Sequence, residues 1–90
     1  MRFEWDPAKA NANFAKHGVS FDEALTAFSD PLSLTVFDPD SSLEEDRFVL
    51  QGVSSLERPL VVVHTDRGDA ICIISARIAT RSERRSYANL

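Results

Sequence analysis

Ninety residues, 43% hydrophobic and 27% charged with a formal net charge of -4, describe one small globular domain rather than a disordered chain or two cores. The longest apolar stretch, AICIISA, is far short of the roughly 18 residues a membrane span requires; a lone Cys72 excludes an internal disulfide, and no Cys/His cluster suggests zinc. The opening MRFEWDPAKA lacks the apolar run of a signal peptide, so the expectation is a cytoplasmic protein without metal or cofactor.

In chain order, RFEW alternates as a short first strand and meets a DP step. Asp6 is placed to cap a helix with Pro7 at its first position, where the missing N–H costs nothing. That helix is predicted to run to about His17, since Gly18 suits the left-handed residue just past a helix end. Ser20 and Glu23 have capping-box spacing, and Phe21, Leu25 and Phe28 recur at helical intervals. The second helix should stop before Ser29-Asp30-Pro31, because the residue preceding a proline avoids the α region. The texture then becomes β: LSLTVF, RFVLQGV, LVVVHT and AICIISAR, separated by DPDS, SSLERP and DRGD turns. Connections this short imply antiparallel pairing of consecutive strands. Thr80 and Glu83 offer a second capping box, opening a C-terminal helix through Tyr87. The order β-α-α-β-β-β-β-α predicts an α+β fold: a twisted, mostly antiparallel sheet with two helices on one face.

Charge is segregated along the chain. Gly18 to Asp46 holds eight acids and no Lys or Arg, whereas Arg77 onward holds four Arg and one Glu. Such asymmetry suggests two faces with different partners, or two solvated faces. Strand alternation predicts Ile71, Ile73, Ser75 and Arg77 on one face and Cys72, Ile74 and Ala76 on the other. Arg77 would then end an apolar stripe near Arg81 and the start of the last helix, where a guanidinium fork and a helix N-terminus suit a phosphate. Arg67 sits at the hairpin turn, and Arg47 opens a central strand that reaches the same surface. Against this, Arg77 has acids enough nearby to pair with, and Arg84 and Arg85 read equally as solvated. His17, on the last turn of a helix, is favoured there as a cation; His64 fits a half-buried strand residue as well as a general base. Cys72 reads as a small core residue, and Trp5 and Phe14 as core.

Two ordered blocks then stand out: W-D-x-x-K-A-x-x-N-x-x-K-H-G-V-x-F from Trp5 to Phe21, and I-I-S-A-R-x-A-T-x-x-E-R-R-x-Y from Ile73 to Tyr87. Together, over essentially the full length, they resemble the BrnT family of toxins from type II toxin–antitoxin systems. The resemblance implies a single RelE-like toxin domain over residues 1–90. It further implies a ribonuclease that halts growth, and a cognate BrnA-type ribbon-helix-helix antitoxin. Toxin and antitoxin together would repress their own operon, so operator DNA is met only through the complex, and the toxin alone is expected to be a monomer. The cleavage chemistry needs no metal: a base deprotonates the ribose 2′-OH and cations stabilise the phosphate. Arginine stays protonated and serves as a clamp, so the expected site is Arg67 and Arg77 with His64 and His17, supported by Arg47 and Arg81 as RNA-phosphate ligands. A carboxylate such as Glu45 is a further candidate base. Where the family reads R-I-I-S-A-R-K-A this chain has CIISARIA; Cys72 and Ile78 stand in place of Arg and Lys. The alternative is therefore a catalytically weak or silent relative that serves as an antitoxin-binding co-repressor module.

Overall fold

The computed structural model describes residues 2–41 and 45–88; Glu44, one of the eight acids in the Gly18–Asp46 stretch, lies outside them. The first strand, β1 (Arg2–Glu4), leads into α1 (Pro7–His17) and α2 (Phe21–Thr26), which continues as a 3-10 turn over Ala27–Ser29. Four strands follow, β2 (Leu34–Asp38), β3 (Arg47–Val53), β4 (Pro59–Arg67) and β5 (Ala70–Ile78), and then α3 (Arg81–Ala88). The sheet order is β1-β5-β4-β3-β2. Consecutive strands from β2 to β5 pair antiparallel, while β1 lies parallel to β5. The predicted α+β order holds.

The helix ends form for the expected reasons. The Asp6 side chain accepts from the Ala8 amide at 2.9 Å, and Gly18 takes the left-handed conformation at φ 68°, a position where other residues are strained. Ser20 caps α2 by accepting from the Glu23 amide at 3.0 Å. The reciprocal half of that box is not made: the Glu23 carboxylate, 7% exposed, binds instead the Arg58 guanidinium and, at 2.7 Å, the Ser54 hydroxyl. A full charge at this depth is better satisfied by a cation than by one backbone amide.

Both N-terminal helices pack on one face of the sheet, around Val19, Phe21, Ala24, Leu50, Leu60, Val62, Ile73 and Ala76. Trp5 packs against this core with its ring edge-on to Phe21 at 5.9 Å. Phe14, expected in the core, is 57% exposed instead, because the inward side of α1 is taken by Asn13. Buried Asn13 donates to the carbonyls of Val19 (3.0 Å) and Ala76 (2.8 Å) and accepts from the Ala76 amide at 3.1 Å. Its side-chain amide thus occupies the β5 edge beyond the last residue paired with β1, giving Ala76 the two bonds a neighbouring strand would give. Gly52 answers a different need. A Cβ there would stand 2.9 Å from the Ala27 carbonyl oxygen and 3.0 Å from Ser33 Cβ, so the chain passes only without a side chain.

One irregularity changes the faces. Val63 pairs with Ser75 but His64 pairs with Ile73, so β5 carries one extra residue at this point. Such a bulge reverses the alternation beyond it. Ala76 therefore joins Ile73 on the helix face, and Arg77 and Ser75 join Cys72 on the opposite face. The expected grouping of Arg77 with Ile71 and Ile73 is corrected on that account.

Candidate active site

A cleft of about 380 Å³ opens at one end of the sheet, beside the start of α1. Its lining brings together Lys9, Arg47 and Arg67 with Glu4, Glu45 and Cys72. Each arrives by a local cause. The tight β4–β5 turn at Gly68 and Asp69 ends the ladder at the Arg67–Ala70 pair, which projects Arg67 at the tip. Thr65 Oγ1 donates to the Asp46 carbonyl at 2.6 Å, fixing the entry to β3 and with it Arg47. Thr65 pairs with Cys72, and Cys72 with Glu4, so these three form one cross-strand row. The Asp6 cap sets the start of α1, which places Lys9 on its first turn beside this row. The bulge residue Ile74 and the ring of Trp5 complete the walls.

Arg67 is 54% exposed on its side chain and, among the described residues, donates through Nη2 to Glu45 Oε1 and Oε2 at 3.2 and 3.4 Å. That contact raises the guanidinium's pKa further, so the charge is permanent. Arg67 lines the cleft with bonds from Nη2 only, among the described residues, and a guanidinium fork suits a phosphate oxygen.

The remaining expected residues lie elsewhere. Arg77 pairs with Val61, six residues from Arg67 along β4, or about 20 Å at the strand rise. The two arginines share a face but do not converge, and the single anion pocket expected of them is not formed. Arg77 Nη1 and Nη2 donate to the two oxygens of Glu83 at 2.7 and 2.9 Å. Glu83 also accepts from the Thr80 amide at 2.8 Å, while its own amide donates to Thr80 Oγ1 at 3.2 Å, completing the predicted capping box. The Arg77 contact holds the Glu83 carboxyl down at about 2 despite partial burial. Arg81 is exposed at the start of α3, at this same distant end.

His64 is 4% exposed. Its ring lies edge-on to Phe28 at 4.8 Å and stacked with Phe48 at 6.0 Å. Burial pushes its pKa down against the opposing pull of the Val62 carbonyl and Asp66, so this is a neutral core histidine on the helix face. His17 ends α1 eight residues after Lys9, about 12 Å along the helix. Of the six expected residues the cleft gathers two, Arg67 and Arg47, with Glu45 beside them. Lys9 and Glu4 were missed. The spacing from the Asp6 cap to Lys9 was a readable signal for the first; the parallel β1–β5 pairing that brings Glu4 to Cys72 had none.

Comparison with known proteins follows the same outline. The family model described as "Ribonuclease toxin, BrnT, of type II toxin-antitoxin system" matches residues 5–83. The 1.1 Å crystal structure of the Brucella abortus ribonuclease toxin BrnT is similar to this chain with a TM-score of 0.66 at 25% identity. That likeness covers 90% of this chain and 99% of the Brucella one. No curated relative matches at a significant level.

Proposed function

The chain belongs to the BrnT family of ribonuclease toxins from type II toxin–antitoxin systems, and from that premise we propose that it is a metal-independent RNA endonuclease acting in the Lys9–Arg47–Arg67 cleft. The observation that carries the reading is the gathering of three cations and the Glu45 carboxylate around one concave surface. Arg67, Arg47 and Lys9 hold the scissile phosphate. Glu45, in contact with Arg67, takes the proton of the adjacent ribose 2′-OH. The freed oxygen attacks phosphorus, the bond to the 5′-oxygen breaks, and that oxygen leaves with a proton from solvent. The products are a 2′,3′-cyclic phosphate and a 5′-hydroxyl. The cations act most strongly as charge builds on the pentavalent phosphorane.

In this reading the toxin works in the cytoplasm and is restrained by a ribbon-helix-helix antitoxin. The two together repress their operon, with operator DNA contacted through the antitoxin. Arg77 and His64 are assigned to the scaffold, and Arg81 and His17 to the surface. The test is direct: purified protein incubated with RNA in excess chelator is expected to yield cyclic-phosphate ends, and Glu45→Gln to suppress them. Intact RNA with the parent protein overturns it. One observation favours a second reading, a silent antitoxin-binding co-repressor. Cys72, which stands where the family resemblance gives an arginine, lines the cleft itself, so the missing charge is missing from the site. A tight antitoxin complex without any RNA cleavage selects that account. Ile78, the other departure, pairs with Leu60 at the far end and bears on neither.

A further inference from the structure

The sheet ends at β2, so alternate backbone N–H and C=O groups of that strand face outward with no strand beside them among the described residues. Edges of this kind are normally guarded by lysine, proline, a bulge or a covering element. None of those devices lies within Leu34–Asp38, LTVFD. The strand instead shows Leu34, Val36 and Phe37 at 42, 60 and 49% exposure, after Leu32 at 71%. Its register with β3 is regular over all five residues, leaving the edge straight enough to accept another strand.

Charge says what kind of strand. No Lys or Arg occurs between Gly18 and Asp46. Asp38 pairs with Arg47 at the β3 start, and Asp40, Glu45 and Asp46 belong to the adjoining link. A second copy of this chain added there would bring together two segments that carry acids and no Lys or Arg of their own between Gly18 and Asp46, which is destabilising. A segment alternating apolar and basic residues meets both the exposed side chains and the acids.

We propose that β2 is the docking edge for the antitoxin, which adds an extended, cationic and apolar segment as a sixth strand. This rests on the toxin–antitoxin reading above and names the surface and mode of that partnership. The added strand lies two strand spacings, about 10 Å, from β3 and the Arg47 wall of the cleft. A partner seated there restrains the site from its border, without occupying the phosphate position.

The experiment uses the toxin co-expressed with the antitoxin encoded beside it. Amide hydrogen exchange compares free and bound toxin, affinity is measured at low and high salt, and RNA cleavage by each free protein is measured alongside. Expected are added protection of the outward-facing β2 amides in the complex, binding that weakens with salt, and about 30-fold weaker binding by Val36→Lys, as for a central interface residue. The free variant should cut RNA at the parent rate. Unprotected β2 amides in the complex overturn the proposal even if the variant fails to fold, and so does protection of those amides in a dimer of the free toxin. A parent that cuts no RNA while its β2 is protected by the antitoxin sinks the nuclease reading and still supports this one.

Discussion

The two ends of the sheet treat arginine differently. At the cleft end, Arg67 is held by one nitrogen at 3.2 and 3.4 Å, in a contact between partly exposed partners. At the other end, Arg77 grips both oxygens of Glu83, and Arg58 engages both oxygens of buried Glu23 along with the Gly18 carbonyl. That second end is tied further: Gln51 donates to the Glu83 carbonyl, and the Tyr87 hydroxyl to Asp30. Burial pushes the Asp30 carboxyl up, yet the bonds from Tyr87, Val53 and Leu32 outweigh it and hold it below its ordinary value. The sequence reading grouped Arg67 of the hairpin turn with Arg77 of the last strand in one anion pocket. The partners separate them into a fastening and a site. An arginine whose fork is filled by a carboxylate fixes structure; one with donors left over is available to a ligand.

The sharpest way to break this comparison is to remove one arginine from each end. Arg67→Ala is expected to lower RNA cleavage about a hundredfold with an unchanged melting temperature, as for loss of one transition-state donor. Arg58→Ala should do the reverse. It strands the Glu23 carboxylate, 5% exposed on its side chain, and should lower the melting temperature by several degrees, less than for a fully buried pair because Arg58 itself is partly solvated. Cleavage per folded molecule should stay at the parent level; equal effects of both variants on rate would erase the distinction. Cys72→Arg, which returns a cation to the cleft, is expected to raise cleavage about tenfold, and no gain would remove Cys72 from the catalytic account.

The smallest effect is an acid one. Glu83 has its folded pKa depressed to about 2 from 4.5, so its pair with Arg77 stabilises the fold fully above pH 4.5. That contribution is lost as pH falls through the folded value. Screening at these side chains, 40 and 31% exposed, limits it to about 1 kcal/mol. Urea midpoints should therefore fall between about pH 4.5 and 2 in the parent, and the Glu83→Gln variant should fall less over that window. Parallel curves would show the pair to be idle.

Much of the fold was legible because its signals are local. Asp6, Gly18, Ser20 and the Thr80–Glu83 box declare helix ends through their own side chains or backbone, and β3 forms over the very residues RFVLQGV. The site was less legible for two reasons. The bulge at Ile74 leaves no composition signal, yet it reverses every face downstream. The motif residues that carry the family resemblance are also largely structural: Asn13 fastens α1 to β5, Phe21 fills the core, and Glu83 holds Arg77. They identify the scaffold. The cleft also takes Lys9 from the first block, readable from its spacing to the Asp6 cap, but it depends as well on Glu4, Glu45 and Arg47, which pairing between distant segments brings together and no alternation rule reports.

The Asn13–Ala76 link and the parallel seating of β1 against β5 join the beginning of the chain to its last strand. Trp5 and Lys9 therefore acquire the opposite wall of their cleft only once Cys72 to Ile74 have been synthesised. A polypeptide ending before that strand therefore lacks the surface that Trp5 and Lys9 face, and the cleft is assembled only after β5 has been made.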